Sequence, residues 1–339
     1  MNRRETVIQA LKHKQTDLCP FTVNFTKQAV DNLVNYTKNP DILSKFDTYI
    51  QVAEYWGRPT EISEKPNFYL DDFGIIWNRS GADKDIGIPD NRAIKDIENN
   101  DYVFPEVDEA YIRNLFDNLV KTKQDRFAVA GLGFSLFERS WTLAGMPQVL
   151  MAMAEKSDGL HKLFDDICDF NLKIIDVALE YDIDGFYFGD DWGQQKNMIM
   201  GPEYWRDYIK PRLKRMYKRV KDKGLYVIQH SCGDIEPVFD DLVEIGLDCY
   251  QTFQPEIYDI EKIKDIYTGK LAFWGAISTQ QLLSRASADE VKKETARIMK
   301  ILFKNGGYIA SSTHAIEFDV PAENILAMYD VFTNQDKYL

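Results

Sequence analysis

The stretch that decides the fold is residues 183–233, which read IDGFYFGDDWGQQKNMIMGPEYWRDYIKPRLKRMYKRVKDKGLYVIQHSCG. Its apolar run Gly185–Gly189 is bounded by glycines, which predicts a buried strand. A helix is expected to begin at Pro202, because proline is tolerated in the first helical turn, and Pro211 is expected to kink it. Residues 225–229 then predict a second buried strand. A strand, a covering helix and a further strand are typical of a parallel α/β sheet.

The same alternation of strand and helix continues to the end of the chain and extends upstream. The predicted strands are residues 18–24, 73–77, 127–131, 185–189, 225–229, 249–253, 271–275 and 308–312. The intervening segments have helical spacing, with a capping box at Ser287-x-x-Glu290, and an acidic excursion covers residues 82–101. Eight such strands predict an α/β fold, a single (β/α)8 TIM barrel over residues 1–339 with N-terminal elaborations. The alternative is a doubly wound open sheet, whose dinucleotide-binding version is disfavoured because no Gly-x-Gly-x-x-Gly follows a strand.

Charge balance and cysteine content limit the classes of function. The chain has 54 Asp and Glu against 41 Lys and Arg, a formal net charge of −13. Such an acidic chain repels phosphate backbones and anionic lipid, so neither nucleic acid nor a membrane is expected as a partner. No segment of signal-peptide type and no long apolar run occur, so a cytoplasmic protein is expected. Four cysteines are too few for a disulfide framework, so a functional cysteine is expected to be a ligand or a nucleophile.

In a barrel of this kind, functional groups gather at the C-terminal ends of the strands. The polar residues that follow the fourth to eighth predicted strands are Asp190, Asp191, His230, Cys232, Gln254, Ser278 and His314. The substrate is expected to be a small molecule that contacts Gln254. The aromatic side chains of Tyr187, Trp192 and Trp274 are expected to line an apolar pocket, although aromatic residues near strands are also ordinary core.

The sharpest local signal is His230-Ser-Cys232, directly after the fifth strand. In an extended segment, residues two apart point to the same side, so an imidazole and a thiolate converge as a tetrahedral zinc site requires. A catalytic zinc uses three protein ligands, and His314, after the last strand, is the predicted third. Cys249 begins the sixth strand and is interpreted as a core thiol. The competing interpretation is a hydrogen-bonded core histidine beside a buried free thiol.

Charged residues flank this signal. Asp190 and Asp191 form a paired carboxylate, from which at least one residue is expected to act as a general acid or base. The alternative is that one caps the following helix and the other is solvated. Glu138 and Arg139 follow the third strand and are predicted to pair, either framing the pocket or holding a substrate carboxylate. An ordinary surface or interface pair is the competing interpretation.

The chain resembles the uroporphyrinogen decarboxylase superfamily, and its cobamide-dependent methyltransferase branch is the closer likeness. The motifs that carry this resemblance are RETVIQALKHKQTDLCP (4–20), FERSWTLAG (137–145), DGFYFGDD (184–191), HSCG (230–233), FWGAI (273–277), HAI (314–316) and DVPAEN (319–324). Several motifs in one order are far more specific than any one alone. The resemblance implies the same (β/α)8 barrel.

Two chemistries compete within that superfamily. The methyltransferases are known for zinc binding by His-x-Cys and a distant Cys; His230 and Cys232 match the first two. His314 stands where the distant Cys would fall, counting back from Pro321. The decarboxylases carry Arg-Gln-Ala-Gly-Arg-Tyr after the first strand to bind propionates, whereas residues 24–30 here read NFTKQAV, without arginine. An octa-anionic tetrapyrrole also suits this acidic chain poorly.

The resulting expectation is a zinc-dependent methyltransferase. It would exchange a methyl group between a small molecule, either a thiol or a methyl donor, and a corrinoid carried on a partner protein. The expected cofactors are therefore zinc and corrinoid. The first alternative is a metal-independent decarboxylase of a porphyrinogen or a related carboxylate, and the second is a barrel that binds a ligand or a partner without turnover.

Overall fold

The computed structural model describes residues 1–81 and 84–339 and centres on a curled sheet of seven parallel strands. We label these strands in chain order: β1 (Ile50–Tyr55), β2 (Phe127–Leu132), β3 (Gly185–Gly189), β4 (Tyr226–His230), β5 (Cys249–Thr252), β6 (Ala272–Ile277) and β7 (Tyr308–Ser312). Their order in the sheet is their order in the sequence, which confirms a mixed α/β fold with a parallel sheet. The predicted acidic excursion over residues 82–101 begins with two residues outside the described part.

Helices connect the parallel strands and pack against them. The α-helices are Arg3–Leu11, Lys27–Thr37, Glu109–Thr122, Phe137–Ala144, Met146–Ala154, Asp158–Ala178, Pro202–Tyr204, Lys210–Lys221, Phe239–Ile245, Ile260–Tyr267, Ala288–Leu302, Ala322–Thr333 and Gln335–Tyr338. Short 3-10 helices cover Ile42–Lys45 and Glu236–Val238, and π-helical turns cover Trp205–Ile209 and Thr279–Leu283. None of the described helices has the length and apolar character that a membrane span requires.

Two local predictions about these helices can be compared with the structure. The disruption expected at Pro211 takes the form of the π-helical turn Trp205–Ile209, directly before the helix that carries this proline. Proline lacks the N–H that a regular α-helix would use there, which accounts for the local change of hydrogen bonding. The capping box of Ser287 and Glu290 is present, with both reciprocal hydrogen bonds.

The predicted first strand, residues 18–24, forms isolated contacts rather than a regular strand. It runs parallel to β7 through a bridge between Phe21 and Ala310. The carbonyl of Phe21 also accepts the N–H of Tyr49 at 2.9 Å, just before β1 begins. The segment therefore contacts both edges of the curled sheet. A closed barrel of eight strands stays a prediction.

The prediction that residues 73–77 form the second strand of the parallel sheet is wrong. The last two residues of this run belong to a separate antiparallel sheet of four short strands, and residues 73–75 precede that strand without being part of it; the four strands are Thr60–Glu61, Phe68–Leu70, Ile76–Asn78 and Ile88–Pro89. The place in the parallel sheet belongs to β1, which pairs with β2 from Ile50 opposite Phe127 onward. Polar Gln51 and Glu54 interrupt β1, so it lacks the continuous apolar run that marks a strand buried on both faces.

Side chains alternate between two apolar clusters on either side of the sheet. Phe127 of β2 belongs to the cluster inside the curl, together with Val7 and Leu11 of the N-terminal helix. Its neighbour Ala128 belongs to the outer cluster, which the surrounding helices share. Because Phe127 is the first residue of β2, the N-terminal helix covers the N-terminal ends of the strands.

Candidate active site

The opposite, C-terminal ends of the strands surround a cavity of about 850 Å³, which we call the main cavity. Its lining includes Glu54, Trp56, Glu138, Tyr187, Asp191, His230, Gln251 and His314. Enzymes built on parallel strands and helices bind their substrates at this end of the sheet.

The three predicted metal ligands converge at this end of the sheet. The donor atoms of His230, Cys232 and His314 all lie within 4.8 Å of one another. His230 Nε2 is 3.7 Å from Cys232 Sγ, and the two histidine rings have centroids 6.1 Å apart. His230 is the last residue of β4, and Gly233, at φ +79°, turns the chain directly after Cys232. His314 reaches the same point from the segment after β7.

This donor set fits a tetrahedral zinc ion. Zinc–nitrogen bonds of about 2.0–2.1 Å and zinc–sulfur bonds of about 2.3 Å place two ligands of one ion roughly 3.3–3.7 Å apart. The His230–Cys232 separation of 3.7 Å already corresponds to this value. The widest separation allowed by the 4.8 Å limit exceeds it by about 1 Å. Two imidazoles and a thiolate are also the ligand types that zinc prefers.

Polar neighbours contact both ring nitrogens of His230. Nδ1 lies in very short contact with Gln251 Oε1. Gln251 Nε2 donates to the carbonyl of Thr313 at 3.4 Å, so the amide oxygen is the atom that faces the ring. Nε2 of His230 lies 3.3 Å from Asp191 Oδ1. Burial alone lowers the pKa of His230, but the charges of Cys232 and Asp191 outweigh it and raise this pKa well above its ordinary value.

Asp190 occupies a different position from the one predicted for a catalytic residue. Its buried carboxylate accepts the backbone N–H of Phe137 at 2.9 Å and of Glu138 at 2.8 Å. It also accepts the indole N–H of Trp192 at 2.7 Å. Burial raises the pKa of Asp190 to about 6, against these donors. Within the described residues, Asp190 is not part of the main cavity's lining; it caps the helix that begins at Phe137.

Asp191 points the other way, into the main cavity. Its Oδ1 accepts the N–H of Cys232 at 2.7 Å, and its side chain is 35% exposed. Burial opposes ionisation, but the hydrogen bond and charge of His230 outweigh it and lower the pKa of Asp191. Burial and the nearby Asp191 and Asp190 carboxylates raise the pKa of Glu138 well above its ordinary value. The cavity wall thus combines a charged carboxylate with one that favours its protonated form.

Arg139 lies behind the cavity wall and pairs with a residue other than the predicted Glu138. Its Nη1 is 3.6 Å from Asp71 Oδ2, and its guanidinium carbon lies 3.8 Å from the ring centroid of Phe73. Its Nη2 donates to the carbonyl of Trp56 at 3.3 Å. Consecutive helical residues point in different directions, so Glu138 faces the cavity while Arg139 is 3% exposed. This placement corrects the expectation that Arg139 pairs with Glu138 or reaches a substrate carboxylate.

The remaining predicted contacts divide among three places. Tyr187 lines the main cavity and donates its hydroxyl to Gln251 Oε1 at 3.2 Å. Trp274 is 2% exposed within the inner apolar cluster, 6.3 Å from the Tyr187 ring, so it corresponds to the core alternative. Gln254 lines a second cavity, and its Oε1 accepts the N–H of Gly233 at 3.0 Å.

This second cavity, which we call the side cavity, has a volume of about 280 Å³. It shares His314 and Glu317 with the main cavity. Cys232 lines the side cavity and His230 lines the main cavity. The candidate metal ligands therefore lie between the two cavities and contact both.

Two polar residues of the main cavity, Glu54 and Gln251, interact with His230 and are not identified by the sequence analysis. Glu54 lies near the end of β1, and burial raises its pKa to about 7 against the opposing charge of His230. Gly131 leaves room for it, because a Cβ there would lie 3.2 Å from Glu54 Cγ. Recognition of β1 as a strand would have identified Glu54 as a charged residue near the C-terminal end of a strand of the parallel sheet. No motif marks Gln251.

Fold and site together define a class of protein: a parallel α/β fold that carries a polar site with candidate metal ligands at the C-terminal ends of its strands. A family model described as uroporphyrinogen decarboxylase (URO-D) matches residues 89–335. The chain belongs to the uroporphyrinogen decarboxylase (URO-D) family, as its motifs predict. Membership of this family supports an enzymatic function for the protein. A comparison with curated proteins gave no match.

Solved structures with a similar fold include a methyltransferase from Methanosarcina mazei. It is 17% identical, with a TM-score of 0.72, over 99% of this chain and 99% of that chain. A Listeria monocytogenes protein provisionally assigned as a vitamin-B12 independent methionine synthase is 12% identical, with a TM-score of 0.50, over 96% of this chain and 100% of that chain. At these identities the likeness concerns the fold.

Proposed function

We propose that this protein is a zinc-dependent methyltransferase that exchanges a methyl group between a small molecule and the corrinoid of a partner protein. The observation that carries the proposal is the convergence of His230, Cys232 and His314 from two separate strand ends. The name of the Methanosarcina mazei structure agrees with methyl transfer.

The surrounding residues suit this chemistry. When bound, zinc supplies Lewis acidity that lowers the pKa of a thiol or polarises the methyl-carrying group of a donor. Gln251 keeps the His230 ring oriented through Nδ1, as the hydrogen-bond partners of metal-binding histidines generally do. Asp191 is the member of the aspartate pair that faces the site, 3.3 Å from His230 Nε2, and its carboxylate accepts a proton at Oδ2, because Oδ1 already receives the N–H of Cys232. The methyl group passes without its bonding electrons: a nucleophile's lone pair forms the new bond, and the pair of the broken bond stays with the leaving group.

The charge of the main cavity weighs against a porphyrinogen with eight carboxylates. Among the described residues of its lining, six are acidic and three are basic. The acidic residues are Glu54, Asp71, Asp85, Glu138, Asp191 and Glu317, and the basic residues are Lys27, Arg79 and Lys84. A polyanion desolvated in such a cavity would lack enough cationic partners.

Metal content tests the proposal. We expect purified protein to hold about one zinc ion per chain and Cys232→Ala to lose it. The matched control is Cys168→Ala, because the Cys168 thiol is fully buried and its Sγ contacts the carbonyl of Arg212 at 3.7 Å, away from the site. Wild-type protein, but not Cys232→Ala, should also demethylate methylcobalamin in the presence of a thiol or remethylate the reduced corrinoid from a methyl donor, as followed by absorbance.

The alternatives give different results. Protein without zinc, with Cys232→Ala behaving like the wild type, contradicts the proposal. Release of CO₂ from uroporphyrinogen by metal-free protein would favour a decarboxylase. Zinc binding without methyl transfer in either direction would favour a protein that binds without turnover.

A further inference from the structure

The side cavity differs from the main cavity in the chemistry of its lining. Its buried part contains Thr252, Gln254 and Thr313, and its exposed rim contains Gln194, Gln195 and Gln280. Among the described residues of this lining, the only charged side chain besides the candidate metal ligands is Glu317. The side cavity is therefore polar but carries no lysine or arginine that could bind an anion.

Gln254 offers a hydrogen-bond donor to this cavity. Its Oε1 accepts the backbone N–H of Gly233 at 3.0 Å, and a backbone N–H can only donate, so the orientation of the amide is determined. The Oγ1 of Thr252 also approaches this oxygen, at 3.4 Å. Among the hydrogen bonds of the described residues, the Nε2 of Gln254 donates none, although the residue is only 6% exposed. A ligand with an oxygen, nitrogen or sulfur acceptor would satisfy it.

Size also separates the two cavities. The side cavity, at about 280 Å³, has about a third of the volume of the main cavity, which suits a small molecule. The main cavity, at about 850 Å³, lies in the range of pockets that hold much larger ligands. Cys232 and His314 line the side cavity, so a small molecule there would be next to the candidate zinc site.

We propose that the side cavity binds the small-molecule partner of methyl transfer, that this molecule is uncharged and polar, and that the main cavity is left for the corrinoid. The proposal rests on the proposed function, because it assigns one of its two substrates to a place and a chemical class. An uncharged thiol or alcohol matches the lining, whereas a carboxylate or sulfonate would meet Glu317 and, among the described lining residues, no lysine or arginine.

Two thiols of nearly equal size and different charge test the proposal on the protein loaded with cobalt(II) in place of zinc. The probes are 3-mercapto-1-propanol and 3-mercaptopropionate, and the readout is the near-ultraviolet absorption that a thiolate gains on binding cobalt(II). We expect the uncharged thiol to bind about tenfold more tightly. Gln194→Lys, on the exposed rim, should reduce this preference about threefold, the effect of one charge several ångströms away in a wet environment. Gln28→Lys, which adds the same charge to the main cavity, is the matched control and should leave the preference unchanged.

The outcomes distinguish this inference from the function on which it rests. Protein that binds no cobalt or zinc contradicts both. A metal-loaded protein that binds neither thiol, or that prefers the anion, contradicts the side-cavity proposal alone. An effect of Gln28→Lys equal to or larger than that of Gln194→Lys would contradict the assignment of the thiol to the side cavity, which overturns the inference and leaves the methyltransferase proposal standing.

Discussion

Replacing Gln251 by leucine tests whether the Gln251 amide supports metal binding by His230 or only fills space in the core. The Gln251 Oε1 atom accepts from the His230 ring at Nδ1 and from the hydroxyl of Tyr187 at 3.2 Å. Its Nε2 donates to the carbonyl of Thr313 at 3.4 Å, and the residue is 8% exposed. The amide therefore determines which nitrogen of His230 carries the proton, and it leaves the lone pair of Nε2 directed at Cys232 and the candidate metal site.

The expected loss of zinc affinity follows from the hydrogen-bond acceptor that leucine lacks. Leucine fills a similar volume but provides no acceptor, so the buried N–H of His230 loses its partner and the ring loses its orientation. Loss of such a partner typically costs 10–100-fold in metal affinity, about 1.4–2.7 kcal/mol. In Gln251→Glu a carboxylate accepts from the same N–H, so zinc affinity should equal or exceed that of the wild type.

Competition with a chelator of known zinc affinity measures these differences directly. Gln195→Leu is the matched control, because Gln195 is an exposed glutamine on the rim of the side cavity. Circular dichroism and urea unfolding establish that each variant is folded. A folded Gln251→Leu protein that binds zinc within twofold of the wild type would refute the reasoning, as would a Gln251→Glu protein that binds zinc as weakly as Gln251→Leu.

Two further predictions concern stability. Asp190→Ala should lower the free energy of unfolding by about 2–4 kcal/mol in urea, because it removes a helix cap and leaves buried N–H donors without an acceptor. Its zinc content should remain unchanged, whereas loss of zinc without loss of stability would return Asp190 to the site. Hydrogen bonds from Lys292 and Tyr338 lower the pKa of Asp330 from its ordinary 3.8 to about 2. A lowered pKa stabilises the fold above the unfolded-state value, so this contribution, below about 1 kcal/mol for such an accessible pair, should be present above pH 4 and disappear as pH falls toward 2. A gap in unfolding free energy between the wild type and Asp330→Asn that is as large at pH 2.5 as at pH 6 would contradict it.

The sequence predicts the later strands well because each is a short apolar run between turn residues, as Gly185–Gly189 shows. It predicts the front of the sheet poorly. The run at residues 73–77 has the composition of a buried strand, but only its last two residues form a strand, and that strand is part of the small antiparallel sheet. The true strand, β1, carries Gln51, which donates to the Thr122 hydroxyl on the outer side of the sheet, and Glu54, whose polarity reflects the functional end of the sheet.

The alternation of side chains along an extended segment explains why Asp190 and Asp191 have different roles. Alternate residues of β3 share a face, and Tyr187, Gly189 and Asp191 all line the main cavity. Phe186 belongs to the outer cluster, as its parity requires, and Asp190 points to the same side to cap a helix. Only one member of an adjacent pair can face the cavity from an extended segment. The sequence therefore predicts that the pair has divided roles, but it does not identify which aspartate has which role.

The sequence does not show which alternate residues of each strand point into the curl of the sheet. In a strand buried on both faces, apolar residues occupy both parities, so composition does not reveal which set points into the curl. Once one residue of a strand is known to point inward, every second residue along that strand is known to point inward too. Ile50 in the inner cluster leads by steps of two to Glu54, and Cys249 leads to Gln251 in the same way. Glu54 and Gln251, which the sequence analysis does not identify, are thus residues whose identification needs only the inner face of their strands, which the packing of the whole sheet determines.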